Sequence, residues 1–201
     1  MHRRTMMQSA AVALAGLSVR SAAATDVPLP PGTASRGDFD YFLGSWRVEH
    51  RRLRKRLAGS NDWEEFAGRT HCQQLFGGLV NLNESVSYRD GRTSHGMGLR
   101  AFDAPGGRWV DWYLSASDLS KIGPPLYGRF AKGVGTFLAR ETFEGRPVLV
   151  RGRFSSVNKD EARWEQAFST DDGVSWETNW VMRYIRSAQA QAGVSSAKGP
   201  A

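Results

Sequence analysis

The sequence predicts an all-β protein: a single antiparallel up-and-down barrel of about ten strands with a short helical plug at its N-terminal end. Three observations predict it. Apolar residues recur with period two, as where Trp46, Val48 and His50 alternate with Arg47, Glu49 and Arg51. Turn signals break the chain at short intervals, and no helical period intervenes between them.

The turns stand at Gly77-Gly78, Asp90-Gly91, Pro105-Gly106-Gly107, Lys132-Gly133, Glu144-Gly145, Asn158-Lys159-Asp160 and Asp171-Asp172-Gly173. Between them the spacing predicts strands over 45–54, 63–75, 79–89, 94–103, 108–117, 126–131, 134–143, 146–157, 162–169 and 175–186. Consecutive strands joined by short turns make a meander, and a meander removes its exposed edges by closing on itself. Ahead of the first strand, Asp38 to Gly44 reads as one helical turn, with Asp38 as its cap and Phe39, Phe42 and Leu43 plugging one end of the barrel.

Composition narrows the classes of function. The 201 residues include seven Trp and ten Phe, enough apolar and aromatic mass for a real core, with a single Cys and therefore no internal disulfide. No apolar run reaches the ~20 residues of a membrane-spanning helix, so membrane insertion is not expected. Residues 1–24 carry Arg3 and Arg4, an apolar run from Ala10 to Leu17 and Ala22-Ala23-Ala24, the grammar of an export signal cleaved after Ala24 and resembling a twin-arginine signal. Its removal takes Arg3, Arg4 and Arg20 and no acid, lowering the formal net charge of +7 by three to +4. The remaining basic run, Arg47 to Arg56, reads as a solvated strand end or loop, and no nucleic-acid partner is expected. The Pro- and Gly-rich stretch 25–37 reads as a linker, 38–186 as the barrel and 187–201 as a disordered tail. The expected location is the periplasm or the exterior of the cell.

At Gly44-Ser45-Trp46 a short apolar turn leads through Gly-x-Trp into the first strand, as in lipocalin-like calycin barrels. Together with LFGGLVNLNE (Leu75 to Glu84), RFAKGVGTF (Arg129 to Phe137), TFEGRPVLVRGRFS (Thr142 to Ser155) and ARWEQAFSTDDGVSWETNWVMRY (Ala162 to Tyr184), the chain resembles the uncharacterised bacterial family "domain of unknown function 1579". The resemblance implies a calycin-like barrel and carries no ligand or reaction with it.

Taking the more apolar parity of each strand as interior places Trp46 and His50, Val80, Leu82 and Glu84, Val110 and Trp112, Trp164 and Gln166, Thr178 and Trp180 on the lining. A barrel of this width can hold a small molecule. Trp46, Trp112, Trp164 and Trp180 would then wall the cavity, and His50, Glu84 and Gln166 would orient polar groups of a partly apolar ligand. Two other classes stand beside this one. An isomerase or hydratase could use Glu84 and His50 as acid and base, and an interaction protein could have a filled barrel and a basic outer strand. No haem, metal or other cofactor is expected, since His50, His71 and His95 match no zinc spacing and no nucleotide fingerprint is present.

Overall fold

The computed structural model describes residues 27–187, so the expected export signal and nearly all of the expected C-terminal tail lie outside the described residues. Ten antiparallel strands form one closed barrel: β1 (Gly44–Leu53), β2 (Trp63–Leu75), β3 (Val80–Arg89), β4 (Arg92–Asp103), β5 (Arg108–Ser115), β6 (Leu126–Ala131), β7 (Val134–Phe143), β8 (Arg146–Asn158), β9 (Glu161–Ser169) and β10 (Glu177–Arg186). Each strand pairs with its sequence neighbours, and β10 pairs back onto β1 in the register Val48↔Tyr184 and His50↔Met182.

Local chemistry sets the tight hairpins. Asp90 and Gly91 both have positive φ, 51° and 69°, and the Lys132-Gly133 and Glu144-Gly145 turns repeat the pattern. That left-handed pair matches the twist of the strands it joins, which is why two residues suffice. Longer connections at 54–62, 116–125 and 170–176 gather at the end of the barrel where β1 terminates.

The opposite end is sealed. A 3-10 helix, Arg36–Phe42, drops Phe39 and Phe42 into the bore. Its cap is Ser35 rather than Asp38: the Ser35 backbone N–H donates to Asp38 Oδ2 at 2.7 Å and its hydroxyl donates to Asp38 Oδ1 at 2.8 Å. Asp38 Oδ2 also accepts from Trp109 Nε1 at 3.0 Å, which ties the plug to β5. Phe39 meets Trp109, Phe130 and Phe154 edge to face, with ring centroids 5.0, 5.1 and 5.3 Å apart. Across β6 and β7 the rings of Phe137 and Phe130 lie over Gly128 and Gly135 on the facing strand, where a Cβ would come within 2.4 and 2.6 Å of a ring carbon. Arg186 closes the rim, donating to the carbonyls of Leu43 and Tyr41 at 2.9 and 3.1 Å and stacking 4.1 Å over Trp46.

The stretch expected to be a linker is, over its described part, laid against the barrel. Thr33 and Phe130 exchange backbone hydrogen bonds of 2.9 and 2.7 Å, and Pro30 is buried.

Because Phe39 packs against five aromatic side chains and is almost wholly buried, Phe39→Ala should cost about 3–5 kcal/mol. A urea titration should show a lowered midpoint with unchanged slope.

Candidate functional site

Register decides which side chains face the bore. From β1 the inward set is Trp46, Val48, His50 and Arg52; these pair across β2 with Thr70, Gly68, Phe66 and Glu64. Pairing carries the inward parity onward to Asn83 and Ser85 on β3, to Gly96, Gly98 and Arg100 on β4, and to Asp111 and Tyr113 on β5. On the far side it selects Val150 and Phe154 on β8, Trp164, Gln166 and Phe168 on β9, and Trp180, Met182 and Tyr184 on β10.

Four of the seven expected site residues therefore meet in the upper half of the bore. The His50 ring stacks on Phe66 at 4.5 Å and 9°, and lies 5.9 Å from Trp180. Trp180 meets Trp164 edge to face at 5.6 Å and stands directly across from Gln166. Three polar atoms in this group, His50 Nδ1, Gln166 Oε1 and Trp180 Nε1, are buried without a hydrogen-bond partner. Each is a group whose burial is costly unless something pairs with it. The surrounding inward side chains, Phe66, Trp164, Gln166, Trp180, Met182 and Leu126, stay only half-buried, while the plug-end rings are sealed. The upper bore is thus packed less completely than the plug end, and we refer to this half as the chamber.

Three expected site residues lie elsewhere. Trp46 faces inward but belongs to the plug core, its Nε1 donating to the Phe42 carbonyl at 2.8 Å. Glu84 is exposed on the outer wall opposite His71, and Trp112 lies on the outer wall opposite Leu99. The parity of β3 and β5 is inverted because their apolar residues Val80, Leu82, Val110 and Trp112 form an outer stripe, whereas beyond the plug-end rings Trp109 and Phe102 the inner wall carries Asn81, Asn83, Ser85, Arg100 and Asp111. A second correction falls on β10, where a register shift between Thr178 and Trp180 turns Thr178 away from the bore. The acid/base pair of Glu84 and His50 is not assembled, since the two side chains stand on opposite sides of the barrel wall.

Sequence reasoning missed the polar wall. Arg100, nearly fully buried, donates to Asn81 Oδ1 at 2.9 Å and to Asn83 Oδ1, while Asn83 Nδ2 donates to Thr70 and Ser85 at 3.1 and 2.8 Å. The same guanidinium lies over Phe39, Phe42 and Phe154 at 5.0, 5.4 and 5.3 Å, joining the polar wall to the plug. Asp111 faces the bore beside it, and burial lifts its carboxyl to about 6 against the pull of Arg100. Burial, with the Arg52 charge behind it, pushes the His50 imidazole down to about 4. Cys72 is buried and hydrogen-bonded to Asn81, and burial raises its thiol, so it behaves as a core residue. Two hollows of about 270 and 520 Å³ lie among Arg47, Arg69 and Glu84, and among Glu49, Arg51 and Arg183, the larger also touching His50 and Phe66.

A closed ten-stranded meander sealed at one end by an N-terminal helical turn has the form of a calycin-like barrel. Solved structures agree at the level of fold. The S-type phycobiliprotein lyase of Guillardia theta is 14% identical over 76% of this chain and 92% of its own, with a TM-score of 0.50. A protein of M. tuberculosis is 14% identical over 77% of this chain and 99% of its own, with a TM-score of 0.51. No family model and no curated protein matches the chain.

Two buried titratable groups of the bore, His50 and Asp111, give opposite pH signatures. An unfolded chain protonates His50 near 6.5 and the folded protein only near 4, so this residue costs stability progressively as pH falls between those values. Asp111 takes its proton near 6 when folded and near 3.8 when unfolded, so acidification through that window relieves the cost of burying its charge. Relative to wild type, His50→Gln should gain stability as pH is lowered from 6.5 to 4 and Asp111→Asn should lose it from 6 to 4. Urea midpoints measured across this range check both signs.

Proposed function

We propose that this protein is an exported carrier or sensor barrel that holds a small, partly apolar molecule in the chamber above its aromatic plug, without transforming it. The observation that supports it is the convergence of three buried polar atoms lacking partners, on His50, Gln166 and Trp180, within an aromatic wall that stays half-buried. Their chemistry is complementary: the Trp180 indole donates, Gln166 Oε1 accepts, and a neutral imidazole can do either. Apolar walls with a few placed polar groups are the usual constitution of a small-ligand site. The sequence motifs from Leu75 to Tyr184 support kinship with the bacterial family "domain of unknown function 1579".

Gly152 offers a test that leaves the fold intact. A Cβ there would meet Leu126 and Trp164 at 3.5 Å, ordinary contact distances, so a longer side chain projects into the chamber. N-phenyl-1-naphthylamine, a neutral aromatic probe excited by energy transfer from Trp164 and Trp180, should bind the wild type at one site. Gly152→Met should weaken it by about tenfold or more with little change in melting temperature. An unaltered affinity in that variant would remove the chamber from consideration. Native mass spectrometry of protein isolated from its own cells should show a small-molecule adduct.

Export rests on the N-terminal grammar alone. Sequencing of the mature protein should begin at Thr25; a chain still beginning at Met1 contradicts it.

A further inference from the structure

The open mouth of the barrel carries arginines that its carboxylates do not balance. Arg52 is the last inward residue of β1, half-buried, with its guanidinium 4.7 Å over the Trp180 ring. Arg89, on β3, lies 5.9 Å over Phe66, and Arg56, from the 54–62 loop, lies 5.4 and 5.7 Å over Phe143 and Phe168. Of the carboxylates at this end, Glu64 is already taken: Arg89 contacts it through Nε and Nη2, each at 3.0 Å, and Arg54 adds a contact at 3.2 Å; Glu141, inward on β7, makes no ion pair and burial raises its carboxyl. Among the described residues neither Arg52 nor Arg56 makes an ion pair, although Glu64, across from Arg52 on β2, acts on it at longer range. Burial and the neighbouring Arg89 charge pull the Arg52 guanidinium below the ordinary arginine range, the direction that an added anion would reverse.

We propose that this mouth is an anion-docking site and that the chamber's ligand is an amphipathic anion. Its apolar or aromatic body would lie against Phe66, Trp164 and Trp180, and its carboxylate, sulfate or phosphate group would be held by Arg52, with Arg56 on the loop above. The inference rests on the ligand-binding reading of the chamber and adds the charge and orientation of what enters. Geometry favours this over a solvated charge cluster. The guanidinium carbons of Arg52 and Arg56 lie over aromatic rings and neither group makes an ion pair, so their donors are available to a planar or tetrahedral anion. Trp180 is shared: its ring carries Arg52, and its unpaired Nε1 lies among the polar atoms of the chamber. Three outer arginines differ in kind, whereas Arg151, 4.2 Å over Trp176, also lies on a ring without an ion pair. Arg47, Arg163 and Arg183 face solvent and are paired with Glu49, Glu165 and Glu161 at 2.5, 2.6 and 2.6 Å.

Two probes of the same ring body separate the possibilities: 8-anilinonaphthalene-1-sulfonate and its neutral parent, N-phenyl-1-naphthylamine. The wild type should bind the sulfonate about tenfold more tightly than the neutral probe, the worth of one charge-assisted hydrogen-bonded contact. Arg52→Gln should abolish that preference while leaving the neutral probe's affinity unchanged. Arg52→Lys, which keeps the charge and loses the fork, should retain part of it, and Arg47→Gln on the outer wall should retain all of it. Decanoate, decyl sulfate and decyl phosphate should displace the sulfonate better than decanol, their order naming the preferred head group. If both probes bind alike and Arg52→Gln moves neither, the docking site is overturned while the chamber stands. If neither probe binds, the chamber reading and this inference fall together. Retention on phosphatidylglycerol vesicles without displacement of the probe would assign the arginines to a membrane surface and also overturn the proposal.

Discussion

Ten strands closed into one barrel enclose a bore wider than their own inward side chains fill, and the molecule meets that constraint differently at its two ends. At the plug end Phe39 and Phe42 enter from outside the sheet and complete a ring of Trp109, Phe130, Phe137, Phe154 and Tyr184. Small residues make the fit possible, since Phe137 and Phe130 occupy the places that Gly128 and Gly135 leave empty. At the other end no such element enters. The 54–62 loop only folds over the rim, with Leu57 against Val148, Val150 and Phe168 and its N–H bonded to Glu177 at 2.7 Å. The chamber is the part of the bore between the plug and this partly covered rim.

Guanidinium groups are the second organising chemistry. The basic run from Arg47 to Arg56 is not one solvated face, because strand alternation divides it. Arg47 and Arg51 point outward, to Glu49 and over Trp63, while Arg52 points into the mouth and Arg56 returns over Phe143 and Phe168. Deep in the bore Arg100 serves a different end, spreading its donors over Asn81 and Asn83 and its face over three phenyl rings. A buried cation satisfied by neutral amides and aromatic faces leaves Asp111 beside it close to titration near neutral pH.

Strand existence and turn positions were legible because both depend on short-range chemistry: period-two alternation and residues that tolerate positive φ. The parity of β1, β2, β8 and β9 was legible too, since their apolar positions do face the bore. It failed on β3 and β5 for one reason. Choosing the apolar face as interior presumes an apolar interior, yet here Asn83, Ser85 and Asp111 line the bore and Leu82, Leu99 and Trp112 the outside. A signal was present on β4, where Gly96 and Gly98 share parity with Arg100. Glycines in a strand mark where neighbouring side chains approach closely, and Tyr113 and Asn83 do so here. Ion pairing, by contrast, depends on loop paths that alternation does not encode, so the separation of Arg52 from its neighbours was not readable.

The division of charge between mouth and chamber bears on selectivity. His50 lies below Arg52, and a protonated imidazole there would add a second cation without a counter-charge; burial and the Arg52 field together keep it neutral at ordinary pH. The chamber's aromatic side then offers one indole donor, one amide acceptor and one imidazole able to be either, none of them charged. Neutral groups of fixed position reject a ligand that cannot match them, because each mismatch leaves a buried polar atom unpaired. Charged groups at a solvated rim act over longer range and speed encounter more than they discriminate. Placing the arginines outside and the neutral polar atoms inside therefore separates capture from recognition along a single axis, from the rim at Arg52 to the chamber at Gln166.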